Sequence, residues 1–395
     1  MIKIVEVGAG DSKGAFLDLP RELYRRDSVW VSPLDMEIEG IFNPSKNLAF
    51  RNGEATRWVA RDKDNKVVGR IGAFVNRTKA FGFEQPTGGV GFFECIDSQE
   101  VANALFDTSR AWLLARGMEA MDGPINFGEN EHFWGLLVEG FTHPSFGMNY
   151  NPVYYKKLFE GYGFEEYYSQ TATHLDITKS VPERWVKIID WVKNKQGVRF
   201  EHCKRGNLMK YGMDFLTIYN DAWQFHPNFT AMTEEQIQLQ INKLKDILIE
   251  EMTLFAYVDN EPAGFMLCLP DINQIFKQLR GKFGLWDIVL FLWRKRNQFA
   301  WYRKRGILTR GRAMIVGVRP KFQGYGLDAG LIFLTKEPVR NLGFSEIELS
   351  WVGEFNSKMM SVMEASGASF GKKYITYRYL FDRNKKVERL NKLAE

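Results

Sequence analysis

Two stretches of this 395-residue chain hold residue types whose spacing suits chemistry. The first is GPINFGENEHFWGLLVEGF, residues 123–141, which packs Asn126, Glu129, Asn130, Glu131 and His132 between glycines and large apolar side chains. Two carboxylates and an imidazole this close can take and pass a proton, with His132 or Glu131 as the base and Glu129 as its orienting partner. The same residues also suit a solvated or helix-capping polar loop. The second stretch is MIVGVRPKFQGYGLDAGL, residues 314–331. It reads as a short apolar strand, a basic turn with Gly324 and Gly326, and the start of an apolar helix. A tight turn that presents successive backbone N–H groups at a helix N-terminus can bind pyrophosphate oxygens, and the helix dipole adds a favourable field. Glycine matters there because a Cβ would obstruct both the backbone geometry and the ligand's approach. An ordinary strand–turn–helix connection is the plain alternative.

Other reactive residue types are scattered. His143, His174, His202 and His226 show no metal-ligand spacing, and Cys95, Cys203 and Cys268 lie far apart with no CxxC. Neither a zinc site nor a disulfide framework is expected, and the pattern fits a reducing cytosol. The opening MIKIVEVGAGDSKG has no basic-then-apolar leader, and no apolar run approaches the roughly 18–20 residues needed to span a bilayer. A cytoplasmic protein is expected. The formal net charge of +5 is unevenly spread: residues 271–312 hold eleven Lys/Arg and two Asp, a net +9, so the remainder carries −4. Within that segment FGLWDIVLFLW is flanked by basic clusters, which suits an interfacial helix on anionic lipid and peripheral attachment at the inner membrane surface. A helical lid with a solvated basic face is the alternative. Nucleic acid is not expected, since no recognition motif is present.

The elements that must position these residues form a repeat. WVARDKDNKVVGRIGAFV and FAYVDNEPAGFMLCL each read as a β-hairpin with Asp-Asn at the turn, Asp64-Asn65 and Asp259-Asn260, 195 residues apart. Asp27, Trp30 and Pro33 recur as Asp221, Trp223 and Pro227. Asn151, Glu160 and Gly163 recur as Asn356, Glu364 and Gly367, each time in a helix that ends at Gly before an aromatic strand. Matches in the same order favour a duplicated domain. The boundary falls near Pro182, which can start a helix, and Gly197, which can end it. The expected division is 1–178 and 179–395, with 271–312 inserted in the second part. Each part is a mixed α/β or α+β domain around one twisted sheet.

VRPKFQGYGLDAGL resembles the acyl-CoA pyrophosphate loop of the GCN5-related N-acetyltransferase (GNAT) superfamily, whose pattern is Gln/Arg-x-x-Gly-x-Gly/Ala. Gln323 and Gly326 match, while Asp328 stands where Gly or Ala is usual. Asn356 matches the Asn that opens the next helix, and Met363 stands about where many members carry a Tyr as general acid. The front turn FECIDSQEVANAL has no glycine, and Asp97 and Ser98 read there as a helix N-cap. The resemblance implies an α/β (α+β) fold of two tandem GNAT-like acyl-CoA N-acyltransferase domains, the first one degenerate. It implies acyl-CoA or acetyl-CoA (or an acyl carrier protein) as donor and no metal. Backbone N–H groups around Val318, Gln323, Gly324 and Gly326, with Asn356, would hold the donor carbonyl and phosphates. Amine acylation needs a base for the attacking ammonium, the role of His132, Glu131 and Glu129. GLLVEGFTHPSFGMNYNPVYY is similar to a bacterial branch of acetyltransferase-like proteins, a likeness that implies lipid N-acylation of the ceramide type. The expected reaction is therefore acyl transfer to an amine, an amphiphilic one given the basic aromatic insertion. The tandem architecture also resembles FemABX aminoacyl transferases, which use aminoacyl-tRNA, and N-myristoyltransferases. Asp328 and Met363 leave a third reading open, a non-catalytic acyl-CoA-binding protein.

Overall fold

The computed structural model of the protein describes residues 2–8, 11–128, 130, 132–224, 229, 231–277, 279, 281–282, 289, 293 and 308–390. The first part runs β1 (Lys3–Glu6), α1 (Asp11–Leu23), α2 (Asp35–Ile41), β2 (Gly53–Arg61), β3 (Val67–Asn76), α3 (Arg77–Ala80), β4 (Thr87–Cys95), α4 (Gln99–Leu114), β5 (Ala120–Gly123), β6 (Leu136–Glu139), α5 (Tyr155–Tyr162) and β7 (Glu165–Asp176). The second runs α6 (Glu183–Lys193), β8 (Val198–His202), α7 (Leu208–Trp223), α8 (Glu234–Leu244), β9 (Thr253–Val258), β10 (Glu261–Pro270), α9 (Asn273–Phe276) and β11 (Arg310–Val318). It closes with α10 (Leu327–Leu334), α11 (Lys336–Asn341), β12 (Glu346–Gly353), α12 (Ser357–Ala365) and β13 (Ser369–Leu380).

Local sequence explains the elements. The β2–β3 and β9–β10 hairpins form at the expected turns, where Asn65, Asp259 and Asn260 take positive φ that short polar side chains tolerate. Ser98 caps α4 by accepting from Val101 N, and the helix then buries Val101, Ala102, Leu105, Phe106 and Leu113 at three- and four-residue spacing. Phe106 stacks on Phe93 of β4 at 4.8 Å, so Phe106→Ala would cost about 3–5 kcal/mol. Pro182 stands at the N-cap of α6, as expected. The helix stops at Lys193, however, and not at Gly197, whose positive φ serves the turn into β8.

All the described strands join one sheet in the order β1-β2-β3-β4-β5-β13-β7-β12-β11-β10-β9-β8, with β6 on β13. Neighbours are antiparallel except β4–β5 and β11–β12. The last strand of each part crosses to the other: β7 pairs with β12, and β13 with β5. The cores follow the strands. Ile375, Tyr377 and Tyr379 of β13 pack with α4 and α5, while Leu175 of β7 packs with α6 and α10. Each part thus depends on the other for a strand beside its parallel pair.

Most of the basic aromatic segment, 283–288, 290–292 and 294–307, lies outside the described residues. Three of the charges counted in its net +9 are not surface charge. Arg310 and Arg312 belong to β11 and are buried, and buried Asp271 accepts from Arg310 Nε and Nη2 at 2.9 and 2.7 Å. Among the described residues, no helix is long and apolar enough to cross a membrane.

Candidate active site

The two parallel pairs are short. β11 and β12 pair only over Arg310–Ala313 and Glu346–Leu349, and beyond that point the strands part. On its other side β11 slips register with β10: Ile315 faces Leu267 and Ala313 faces Cys268, leaving Met314 as an extra, bulged residue. A bulge bends a strand and frees backbone groups from the ladder. A cavity of about 370 Å³ enters this opening, lined by Arg312, Met314, Ile315 and Val316 on one strand and Ser350, Trp351, Val352 and Gly353 on the other. Its lining continues across seven neighbouring strands, from β11 to β3, a span of roughly 29 Å at ordinary strand spacing. Eleven of the lining side chains are aromatic, among them Phe127, Trp134, Tyr168, Trp223 and Phe355.

The glycine turn lies beyond the strand end. Gly324 and Gly326 have φ of +80° and +73°, and Gly326 is the N-cap of α10. Among the described residues, the N–H groups of Gly324, Gly326, Leu327 and Asp328 make no backbone hydrogen bond. Four open donors at the start of a helix fit an anion. Lys195 adds positive charge nearby, its Nζ 3.5 Å from the centre of the Tyr325 ring. Val318 pairs regularly with Gly264 and does not line the cavity, whereas Asn356 and Met363 do. Asn356 caps α12 by accepting from Met359 N at 3.1 Å. Gln323, Gly324 and Gly326 form the turn together but stand outside the cavity lining.

The polar cluster of the first part reaches the same cavity through Asn126, Gly128 and Asn130. Glu129 and Glu131 lie outside the described residues. His132 packs edge-on to Phe146 at 5.6 Å and against Gly147, where no Cβ would fit. Burial pushes its imidazole down to about 3, and the positive charges of Arg312 and Lys243 add to the effect. His132 is therefore neutral near pH 7, and a weak proton acceptor.

Buried ion pairs hold the strands at this site. Arg378 of β13 donates to both oxygens of Asp122 on β5 at 2.7 and 2.8 Å, and Asp122 lines the cavity. Lys372 pairs with Glu348, both fully buried. Burial alone would raise the Glu348 carboxyl, but Lys372, His174 and Arg310 outweigh it and hold it at about 2. The matching splay of the first part, between β4 and β5, is filled instead. Tyr24 and Tyr155 both donate to Glu94 Oε2 at 2.8 Å, buried Arg70 lies 3.5 Å from Oε1, and a cavity of only about 60 Å³ remains.

Sequence reasoning missed Met314, Arg312 and Asp122. The bulge is invisible because it depends on the register with β10, and the two charged residues read as ordinary strand positions. No cluster of His, Cys, Asp and Glu able to hold a metal ion occurs among the described residues.

No family model matches the chain. It is 30% identical over 376 residues to the bacterial ceramide synthase of Caulobacter vibrioides, covering 92% of this chain and 93% of that protein. Protein YghO of Escherichia coli is 29% identical over 372 residues, covering 92% of this chain and 91% of that protein. Among solved structures, a tandem GNAT protein from the clavulanic acid biosynthesis pathway matches with a TM-score of 0.57 and 13% identity, over 98% of this chain and 100% of that one. A GCN5-related N-acetyltransferase from Sphaerobacter thermophilus matches at 0.54 and 12% identity, over 99% and 98%. At these identities the structures show the fold, and the ceramide synthase shows the kinship. The chain belongs to the family of that bacterial ceramide synthase and is an N-acyltransferase built of two GNAT folds in tandem.

Proposed function

We propose that the protein transfers a long acyl chain from a CoA thioester to an amphiphilic amine, a sphingoid-type base in keeping with the named relative. The observation that carries this reading is the ring-lined cavity, which enters the β11–β12 opening and runs on under both parts of the chain. A small amine taking an acetyl group has no use for a lining that crosses seven strands and carries eleven rings.

Residues 1–178 and 179–395 act as unequal halves in this reading. The second binds the donor: the turn at Gln323, Gly324 and Gly326 holds the phosphates, and the bulge at Met314 offers backbone donors to the thioester carbonyl. That places the carbonyl nearer Met314 than Val318. The amine nitrogen attacks the carbonyl carbon, the C–N bond forms, the C–S bond breaks and CoA leaves as the thiol. The ammonium must first lose a proton, for which Glu129, Glu131 and His132 are the candidates. His132, held at about 3, is a weak acceptor near pH 7. Asp328 sits in the first turn of α10, where a carboxylate is tolerated by the dipole, and does not exclude an anion at the preceding N–H groups. The basic segment within 271–312 would bring the protein to the inner membrane surface that holds such amines.

Binding tests the donor assignment. Long-chain acyl-CoA should raise the melting temperature more than CoA, and CoA more than adenosine nucleotides lacking the pantetheine arm. Stabilisation by aminoacyl-tRNA with none by acyl-CoA would replace this reading with an aminoacyl transferase.

A further inference from the structure

At the side farthest from the β11–β12 opening, the lining of the cavity reaches Phe74 and Asn76 of β3 and Lys79 and Ala80 of α3. Phe74 is 4% exposed and stands directly opposite Gly89 of β4 in the antiparallel ladder. Its ring lies over the glycine: a Cβ added to Gly89 would fall 2.1 Å from Phe74 Cε2 and 2.6 Å from Cζ. The ring thus fills the place of a side chain that Gly89 lacks. Phe127, also in the lining, packs against it at 5.3 Å, and Phe50 meets Phe127 edge-on at 5.0 Å. Some of the polar groups beside this wall are engaged within the fold. Asn76 accepts from Thr78 N at 3.1 Å, and Thr87 donates to the Gln85 carbonyl at 2.7 Å. Arg378, matched by Asp122, lies under the rings of Tyr167 and Phe83 at 3.7 and 4.7 Å. The end of the cavity therefore presents ring faces, with the polar side chains of Asn76, Lys79 and Asn126 beside them.

We propose that the Phe74–Gly89 pair gauges chain length, with the methyl end of an alkyl chain resting against the Phe74 ring. This rests on the acyl-transfer reading and goes beyond it by assigning the end wall and the chemistry it meets. The alkyl chain belongs either to the thioester or to the acceptor, and the experiment separates the two.

Binding and transfer are measured with one series of saturated acyl-CoAs and one of n-alkylamines, each rising in two-carbon steps, for wild type, Phe74→Ala and Gly89→Ala. Phe74→Ala removes the wall, so the best-bound chain should lengthen and the next longer members should gain roughly tenfold in affinity. Gly89→Ala pushes the ring into the cavity and should shorten the preferred chain; if it does not fold, Phe74→Trp fills the same space. A shift in the acyl-CoA series assigns the cavity end to the donor, and a shift in the alkylamine series assigns it to the acceptor. Wild-type preferences in both series for folded Phe74→Ala overturn the gauge, as does wild-type binding that ignores chain length in both. Binding that tracks chain length and shifts in the variants, with no amide formed, keeps the gauge and removes the transferase reading.

Discussion

Arg312 Nε donates to Ser350 Oγ at 2.8 Å, tying β11 to β12 where the two strands begin to part. The guanidinium is 1% exposed, also donates to the Phe146 carbonyl, and lines the cavity. It therefore ties the strands at the mouth of the opening and adds a positive charge to the lining. Arg312→Met keeps much of the volume but removes the charge and both donors. Stability should fall by roughly 2–4 kcal/mol, since Ser350 Oγ and the part-buried Phe146 carbonyl lose a charged donor. The same change removes a positive charge facing His132, so the His132 imidazole should titrate higher. Denaturant unfolding and NMR titration of the ring measure the two effects. An unchanged His132 titration in a folded variant would show that Arg312 does not hold it neutral.

Acid should destabilise the protein through His132. Its folded value of about 3 lies below the ordinary value of about 6.5 expected for the unfolded chain. Between those limits the unfolded state binds a proton that the native state refuses, so stability falls as pH falls. The loss is at most about 1.4 kcal/mol per pH unit, and nothing is lost above pH ~6.5, where both states are neutral. His143, held at about 4 by burial and by Arg310 and Lys277, acts in the same direction. Melting temperatures at pH 7 and pH 5 should differ less for His132→Asn than for wild type. Equal differences would place the acid sensitivity elsewhere.

The turn at Gly324 and Gly326 should be needed for the donor, for a reason that the structure refines. A Cβ on Gly326 would meet Ile188 and Trp191 of α6 at 3.4 Å, so it points into α6 and not into the open donors. Gly326→Val therefore acts through the left-handed backbone and crowding of α6. A Cβ on Gly324 meets nothing within 4 Å, so Gly324→Ala isolates the backbone effect. Acyl-CoA binding, followed calorimetrically, should weaken at least about tenfold in Gly326→Val and less in Gly324→Ala. Wild-type affinity in Gly326→Val would remove this turn as the phosphate cradle.

The basic aromatic segment should bind anionic vesicles in a salt-sensitive way. Lys/Arg near an anionic surface contribute roughly 1 kcal/mol each and are screened by salt, whereas Trp286, Trp293 and Trp301 add anchoring that salt leaves in place. Arg310 and Arg312 are excluded from the count, being buried in β11. Neutralising Arg294, Lys295, Arg296, Arg303, Lys304 and Arg305 should abolish most flotation with anionic liposomes at low salt. Tighter binding to single-stranded RNA than to lipid would reverse the assignment.

Local chemistry made much of the fold legible. Asn65, Asp259 and Asn260 mark turns because their side chains tolerate left-handed backbone, and Ser98 marks a helix start because its hydroxyl accepts from Val101 N. Non-local pairing was not legible. Alternation along β7 and β13 says which side chains face inward but not which strand lies alongside, so the exchange with β12 and β5 could not be read. The bulge at Met314 and the Phe74–Gly89 pair also depend on register between strands. His132 reads as loop chemistry because its neighbours are polar; its packing against Phe146 and Gly147 is a tertiary fact.

Product formation tests the central claim most directly. The protein, a long-chain acyl-CoA and a sphingoid-type base are incubated together, and amide is followed by mass spectrometry while free CoA thiol is titrated. Amide and thiol should appear in equal amounts, only when protein and both substrates are present, and far more slowly with acetyl-CoA. Thiol release without amide, or no release with any acyl-CoA and long-chain amine, would contradict an acyl-CoA-dependent transfer to an amphiphilic amine.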